Sequence, residues 1–266
     1  MTQPSSEVRQ TTFTQEKDGA IATLTLSRAH CLDIEGKHVL TAAIRELASD
    51  SALRAVVLTA RHAQAWLVNV AELAEMSPHE ARAFSRSGHN LGDALTELPV
   101  PVVAAIDQVA LGGGCELALA CDLILAGPAA RFGQIEAMGG VLPAFGGTWR
   151  LAQRVGHQRA LRMLYTAETV DAETAKSMGL VLDVVPSAEL MDRVRALTAQ
   201  IAQVSRQSVA AIKRVVTAGV HLAPSAIAAL EEEAFAGLFG TDDQRTRMRN
   251  FLASQAKEAN KEASNA

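Results

Sequence analysis

Several features that would mark a partner or a compartment are missing from this chain. Its 25 basic and 29 acidic residues, for a net charge of -4, are mixed along the sequence. No basic stripe or acidic block is present, which argues against a nucleic-acid partner held through phosphate charge. Cysteine is scarce and odd in number, at Cys31, Cys115 and Cys121. Three cysteines do not build a disulfide framework, and the last two lie in apolar sequence where a thiol behaves as a small hydrophobe, so a reducing, cytoplasmic setting is expected. The opening MTQPSSEVRQ lacks the apolar core of an export signal, and Asp107, Glu116 and Asp122 interrupt the longest apolar region before it could span a bilayer. Neither export nor membrane insertion is expected. Internal repeats and long polar linkers are also missing.

What is present suffices for a globular protein: 266 residues, 48% of them hydrophobic, can bury a sizeable core without metal or disulfide support. AIATLTLSR (20–28), LRAVVLTA (53–60) and PVVAAID (101–107) read as strands, by alternation or by short valine-rich runs. Between them, Leu40, Ile44, Leu47 and Ala48 recur at helical spacing. Phe84, Gly88, Leu91 and Leu95 do the same behind SPHE (77–80), a capping box with proline at the first helical position. Strands alternating with helices predict an α/β arrangement. DLILA and ARFGQ add strand signals, which stop after GLVLDVVP (179–186). Helical periodicities then take over to the end, with QAKEANKEASNA (255–266) expected to fray.

ALGGGCELALACD (110–122) places three glycines and one acid ahead of a helix-favouring run. The simplest reading is a tight strand-to-helix turn with Glu116 complementing the helix dipole. A phosphate loop fails because no Lys-Ser/Thr follows, and a dinucleotide fingerprint fails because Leu117 stands where its third glycine belongs. A third reading uses the backbone: free N–H groups at a helix start stabilise an oxygen gaining negative charge, beside a proton-transferring carboxylate.

The segment from 110 to 156 closely resembles the crotonase superfamily, the enoyl-CoA hydratase/isomerase family. The resemblance rests on Gly-Gly-Gly-Cys-Glu at 112–116, Cys-Asp at 121–122, Phe-Gly-Gln at 132–134, Glu136, Pro143 and Gly-Gly-Thr at 146–148, and extends less sharply over most of the chain. It implies a crotonase-like spiral of ββα units with a C-terminal helical region. On that basis residues 1–200 form the core with an acyl-CoA site, and 201–266 a helical region for packing and oligomerisation, as a homotrimer or dimer of trimers. The implied substrates are acyl-CoA thioesters, with coenzyme A part of the substrate and no separate cofactor or metal. Carried over residue by residue, Gly113 supplies one oxyanion-hole N–H, Glu116 orients and deprotonates water, and Glu136 delivers the α-carbon proton. The implied reaction is reversible hydration of 2-enoyl-CoA; an isomerase, or a homologue that binds acyl-CoA without turnover, are the alternatives.

The chain departs from the family pattern where the second N–H donor is expected. The Ala-Gly-Ala-Asp type segment is replaced by AQAWLVNVAELAEM (63–76), which has no glycine. Aligned from ELAEM, Asn69 is the donor; aligned from AW, it is Val68. Asn69 is the preferred assignment. RAHCLDIEGK (28–37) also departs from the usual adenine-contacting segment. His30 reads as an exposed loop residue, Trp149 as packing, Arg150 as solvent-facing, and Lys213 and Arg214 as a solvated helix face.

Overall fold

The computed structural model describes residues 12–220 and 222–264, so the opening MTQPSSEVRQ lies outside the described residues. The chain divides into two compact units, Met1–Ala202 and Gln203–Ala266. In chain order the first unit contains β1 (Phe13–Asp18), β2 (Ile21–Leu26), α1 (Ile34–Ala48), β3 (Ala55–Ala60), α2 (Val70–Ala74), α3 (Pro78–Glu97), β4 (Val102–Ile106), β5 (Val109–Leu111), α4 (Gly113–Ala120), β6 (Leu123–Ala126), β7 (Arg131–Gly133), a 3-10 turn at Glu136–Gly139, α5 (Gly147–Val155), α6 (His157–Thr166), β8 (Thr169–Asp171), α7 (Ala172–Ser177), β9 (Asp183–Val184) and α8 (Leu190–Gln203).

Two sheets result. One has the order β1-β2-β3-β4-β6-β9 and the other β5-β7-β8. Only β1 runs antiparallel in the larger sheet, and the chain from β4 to β7 shows how the spiral is built. β4 joins the large sheet, β5 the small one, α4 crosses over, and β6 and β7 repeat the pattern beside β4 and β5. These two turns each give one strand to each sheet, whereas β2 and β3 are followed by helices with no strand in the small sheet. Parallel strands covered on both faces need apolar side chains on both, and all five residues of β4 are buried. One face packs against Leu24, Leu40, Ile44 and Leu95, the other against Leu190 and Val194 of α8.

Helix starts follow local chemistry. Asp33 caps α1 by accepting from Gly36 N–H at 2.6 Å, and the expected box at Ser77 and Glu80 forms with Pro78 in the first turn of α3. Cys31, Cys115 and Cys121 are buried and stand outside any disulfide among the described residues.

The second unit is helical: α9 (Arg206–Gly219), α10 (Pro224–Leu238) and α11 (Asp242–Ser264). The segment expected to fray continues α11 through Ser264, and its last two residues lie outside the described residues. Lys213 also departs from expectation; it is buried while Arg214 is exposed. Ile212, Val216, Phe235, Phe239, Phe251 and Leu252 are exposed on the single chain. Among the described residues no helix is long and apolar enough to cross a membrane.

Candidate active site

The glycine stretch makes the tight turn first. Gly112 has φ 54° and ψ -126°, a backbone region open to glycine alone, and this lets its N–H donate to Gly133 O (2.9 Å) as β5 ends while the chain reverses into α4. Gly113 is then the first residue of α4, where a backbone N–H has no intrahelical acceptor. Gly114 is required for a different reason. A Cβ there would lie 1.5 Å from Trp66 O, so the 66–68 segment rests directly on the helix start. A Cβ on Gly113 would lie 2.6 Å from Val68 Cγ2 and from Phe145 Cε2.

Of the two candidates for a second N–H donor, Val68 therefore packs against Gly113, whereas Asn69 caps α2. The Asn69 side chain accepts from Ala71 N–H (3.2 Å) and donates to Glu72 Oε1 (3.0 Å). Neither residue's backbone N–H donates to a backbone carbonyl among the described residues.

Glu116 is 2% exposed. Its Oε1 accepts two short bonds, from Phe145 N–H and Gly147 N–H at 2.7 Å each, and its Oε2 one longer bond from Ala144 N–H at 3.3 Å. Burial raises the Glu116 pKa, while these three N–H groups and the nearby Arg150 charge oppose the rise. With Oε1 saturated, Oε2 is the atom left to take a further hydrogen bond.

Glu136 opens the 3-10 turn that follows β7. A Cβ on Gly112 would lie 3.0 Å from its Oε1, so this carboxylate borders the glycine turn. Burial, reinforced by the Glu116 charge, pushes its pKa up to about 7. With the Gln134 amide nitrogen facing it, Gln134 donates to both Glu136 oxygens at 3.2 Å. The fold thus gathers Gly113, Glu116 and Glu136 around one turn and places Asn69 one residue beyond the segment that touches it. A buried acid held by N–H donors stands beside a second acid poised near neutrality. Two acids in such different surroundings are the arrangement that acid/base work at an atom between them requires. Cys115 offers no competing nucleophile, because burial pushes its thiol up to about 12.

Three contributors were given no role at the site by the sequence reading. Arg150, read as solvent-facing, is 6% exposed and donates to Phe145 O at 2.6 Å, whereas Trp149 is 38% exposed. The guanidinium thereby braces the 145–147 turn that holds Glu116. Gln134 is buried against Glu136. Lys37 of α1 is fully buried and lines, with Leu32, Leu91, Gly113, Glu116 and Phe145, a small cavity next to the glycine turn. His30, read as exposed, is partly buried with φ 52°.

Residues 16–259 match the enoyl-CoA hydratase/isomerase family. The short-chain-enoyl-CoA hydratase of Clostridium acetobutylicum is 35% identical over 242 residues, covering 89% of this chain and 93% of that protein. The crotonyl-CoA hydratase of Syntrophomonas wolfei is 32% identical over 242 residues, with 89% and 93% covered. Among solved structures, Pseudomonas aeruginosa DspI superposes with a TM-score of 0.87 at 33% identity over 91% of this chain and 94% of that one. An enoyl-CoA hydratase from Bacillus anthracis gives 0.85 at 26% identity over 91% and 96%. By the extent of the family match and by these relatives, the chain belongs to the enoyl-CoA hydratase/isomerase family.

Proposed function

We propose that the protein is an enoyl-CoA hydratase that reversibly adds water across the double bond of 2-enoyl-CoA thioesters. The observation that carries this reading is the carboxylate pair, one acid anchored by three N–H groups and the other raised to about 7 beside it. Two relatives that cover most of the chain are named for this reaction. In the proposed mechanism the thioester oxygen lies against Gly113 N–H at the start of α4, where the helix dipole stabilises the enolate-like charge. Water sits on Glu116 Oε2, which takes its proton as oxygen bonds to the β-carbon. Glu136, protonated in the resting pair, delivers its proton to the α-carbon, and reversal exchanges the roles. These steps call on coenzyme A only as part of the substrate. An isomerase needs one base to move a proton, so the retained pair favours hydration.

Asn69 N–H is the proposed second donor to the thioester oxygen; Val68 is the second reading because its side chain rests on Gly113. Proline removes the N–H that any other residue supplies. Asn69→Pro is expected to lower kcat by about 10²–10³-fold if Asn69 donates, whereas Asn69→Ala, which keeps the N–H and loses the α2 cap and the bond to Glu72, is expected to lose about 1 kcal/mol of stability with kcat near wild type. A loss of kcat confined to Val68→Pro transfers the donor to Val68.

The exposed apolar side chains of α9–α11 support a homotrimer or a dimer of trimers as the working assembly. Three buried cysteines outside any disulfide among the described residues suit a reducing cytoplasm. The direct test of function follows loss of the conjugated thioester of crotonyl-CoA alongside an acyl-CoA titration. Hydration supports the reading. Binding without turnover across several chain lengths makes the protein a non-catalytic binder, and a double-bond shift without hydration makes it an isomerase.

A further inference from the structure

The buried cation in the small cavity beside the glycine turn has no part in the proposed proton transfers. Lys37 is 0% exposed, its Nζ donates to Phe84 O at 3.2 Å, and it stands 3.2 Å from the Phe84 ring centroid and 4.2 Å from that of Phe145. An ammonium has three donors, and the described residues give this one a single hydrogen-bond acceptor. The carboxylates whose charges reach it are Asp33, Glu116 and Glu72, and each is engaged elsewhere. Asp33 pairs with Arg28 at 2.7 Å, Glu72 accepts from Asn69, and Glu116 is held by the 144–147 turn. From α3 the lysine meets only the Phe84 ring and carbonyl, with Gly88, Leu91 and Gly92 beside them. A buried cation held chiefly by ring faces is an expensive feature to keep without a purpose.

The cavity that Lys37 enters also reaches Gly113 and Glu116, and its other walls are apolar: Leu32, Leu91, Leu117 and Phe145. We propose that Lys37 receives the far end of the acyl chain, and that the preferred substrates are short 2-enoyl-CoA thioesters whose acyl chain ends in a carboxylate. This rests on the hydratase reading only in placing the thioester at Gly113. An alkyl tail would meet apolar walls and leave the ammonium unanswered, whereas a terminal carboxylate takes a charge-assisted hydrogen bond from it. The chain is short because the Phe145 ring fills the space over Gly88 and Gly113, where added Cβ atoms would lie 1.9 Å and 2.6 Å from it.

The charge state of Lys37 supplies a handle on the test. Burial lowers its pKa to about 7 against the opposing pull of Asp33, Glu116 and Glu72, so the ammonium is present below that value and is lost above it. Saturated glutaryl-CoA and butyryl-CoA, which carry the same coenzyme and cannot be hydrated, are titrated calorimetrically into wild type and Lys37→Met at pH 6 and pH 8.5. Wild type at pH 6 is expected to bind glutaryl-CoA about tenfold or more tighter than butyryl-CoA. That preference shrinks at pH 8.5 and disappears in Lys37→Met, whose near-isosteric side chain suits a buried site. In turnover, glutaconyl-CoA then has a lower KM than crotonyl-CoA in the wild type, and Lys37→Met raises that KM selectively with little change in kcat. Equal or tighter binding of butyryl-CoA by the wild type at pH 6 overturns the proposal, whether or not the variant folds. So does a Lys37→Met that weakens both ligands equally. Failure of the hydratase reading looks different: neither unsaturated thioester is turned over, while the glutaryl-CoA preference persists.

Discussion

Glu136→Gln lowers kcat for crotonyl-CoA hydration by about 10²–10⁴-fold with acyl-CoA affinity within a few-fold of wild type, and Glu116→Gln does the same. Glutamine keeps the shape and a carbonyl acceptor, so the binding cavity survives; it does not take up or release a proton at neutral pH. The two losses are not additive, because either substitution alone breaks a relay in which one proton enters the pair as another leaves it. Measuring kcat and the affinity for a saturated acyl-CoA in both single variants and the double variant checks all three statements. Glu136→Gln carries a second signature in stability. The native pKa of Glu136 lies above its ordinary value of 4.5, so the stability tied to its proton is lost as pH rises from that value and is fully lost above about 7. The variant is expected to unfold at a higher temperature than wild type at pH 8 and at the same temperature at pH 4.

Gly114→Ala is expected to lose both fold stability and activity, by roughly 1–3 kcal/mol or more and by at least about tenfold in kcat. The added Cβ would lie 1.5 Å from the backbone oxygen of Trp66, and backbone has no rotamer by which to yield. Relief comes only by moving the 66–68 segment away from α4, which separates Gly113 from its neighbouring N–H candidates. Gly139→Ala is the control. A Cβ there has nothing within 4 Å, and the substitution is expected to stay within about 0.5 kcal/mol of wild type. Thermal unfolding and crotonyl-CoA kinetics on the two alanine variants separate a packing role from an effect of losing any glycine.

The buried parallel strands were legible because burial on both faces writes itself as continuous apolar sequence, as in VVAAI of β4. β1 was not. FTQEKD lies at the edge of the sheet with four of its six residues exposed, so nothing in its composition demands a strand. β5 and β8 are three residues each, too short for any period to register. At the site, the glycine turn and Glu116 could be read from local physics, and Glu136 only from the longer resemblance, since an acid on an irregular segment carries no local signal. Arg150 was misplaced because a guanidinium is ordinarily solvated; its burial depends on Phe145 O, an acceptor that only the folded turn supplies. Lys37 was hidden for the same reason. Within IEGKHV it reads as one polar residue among others, and the Phe84 and Phe145 rings that receive it come from distant stretches.

The central claim is that Glu116 and Glu136 act as one pair carrying one proton. Hydration consumes no net proton, so kcat/KM for hydrating crotonyl-CoA and for dehydrating 3-hydroxybutyryl-CoA must share one pH dependence, set by the singly protonated pair in the free enzyme. The most direct measurement is kcat/KM in both directions from pH 5 to 9. The account predicts a common alkaline limb centred near pH 7, where the last proton leaves Glu136 and its partner. A rate that stays level from pH 6 to 9 in both directions contradicts it.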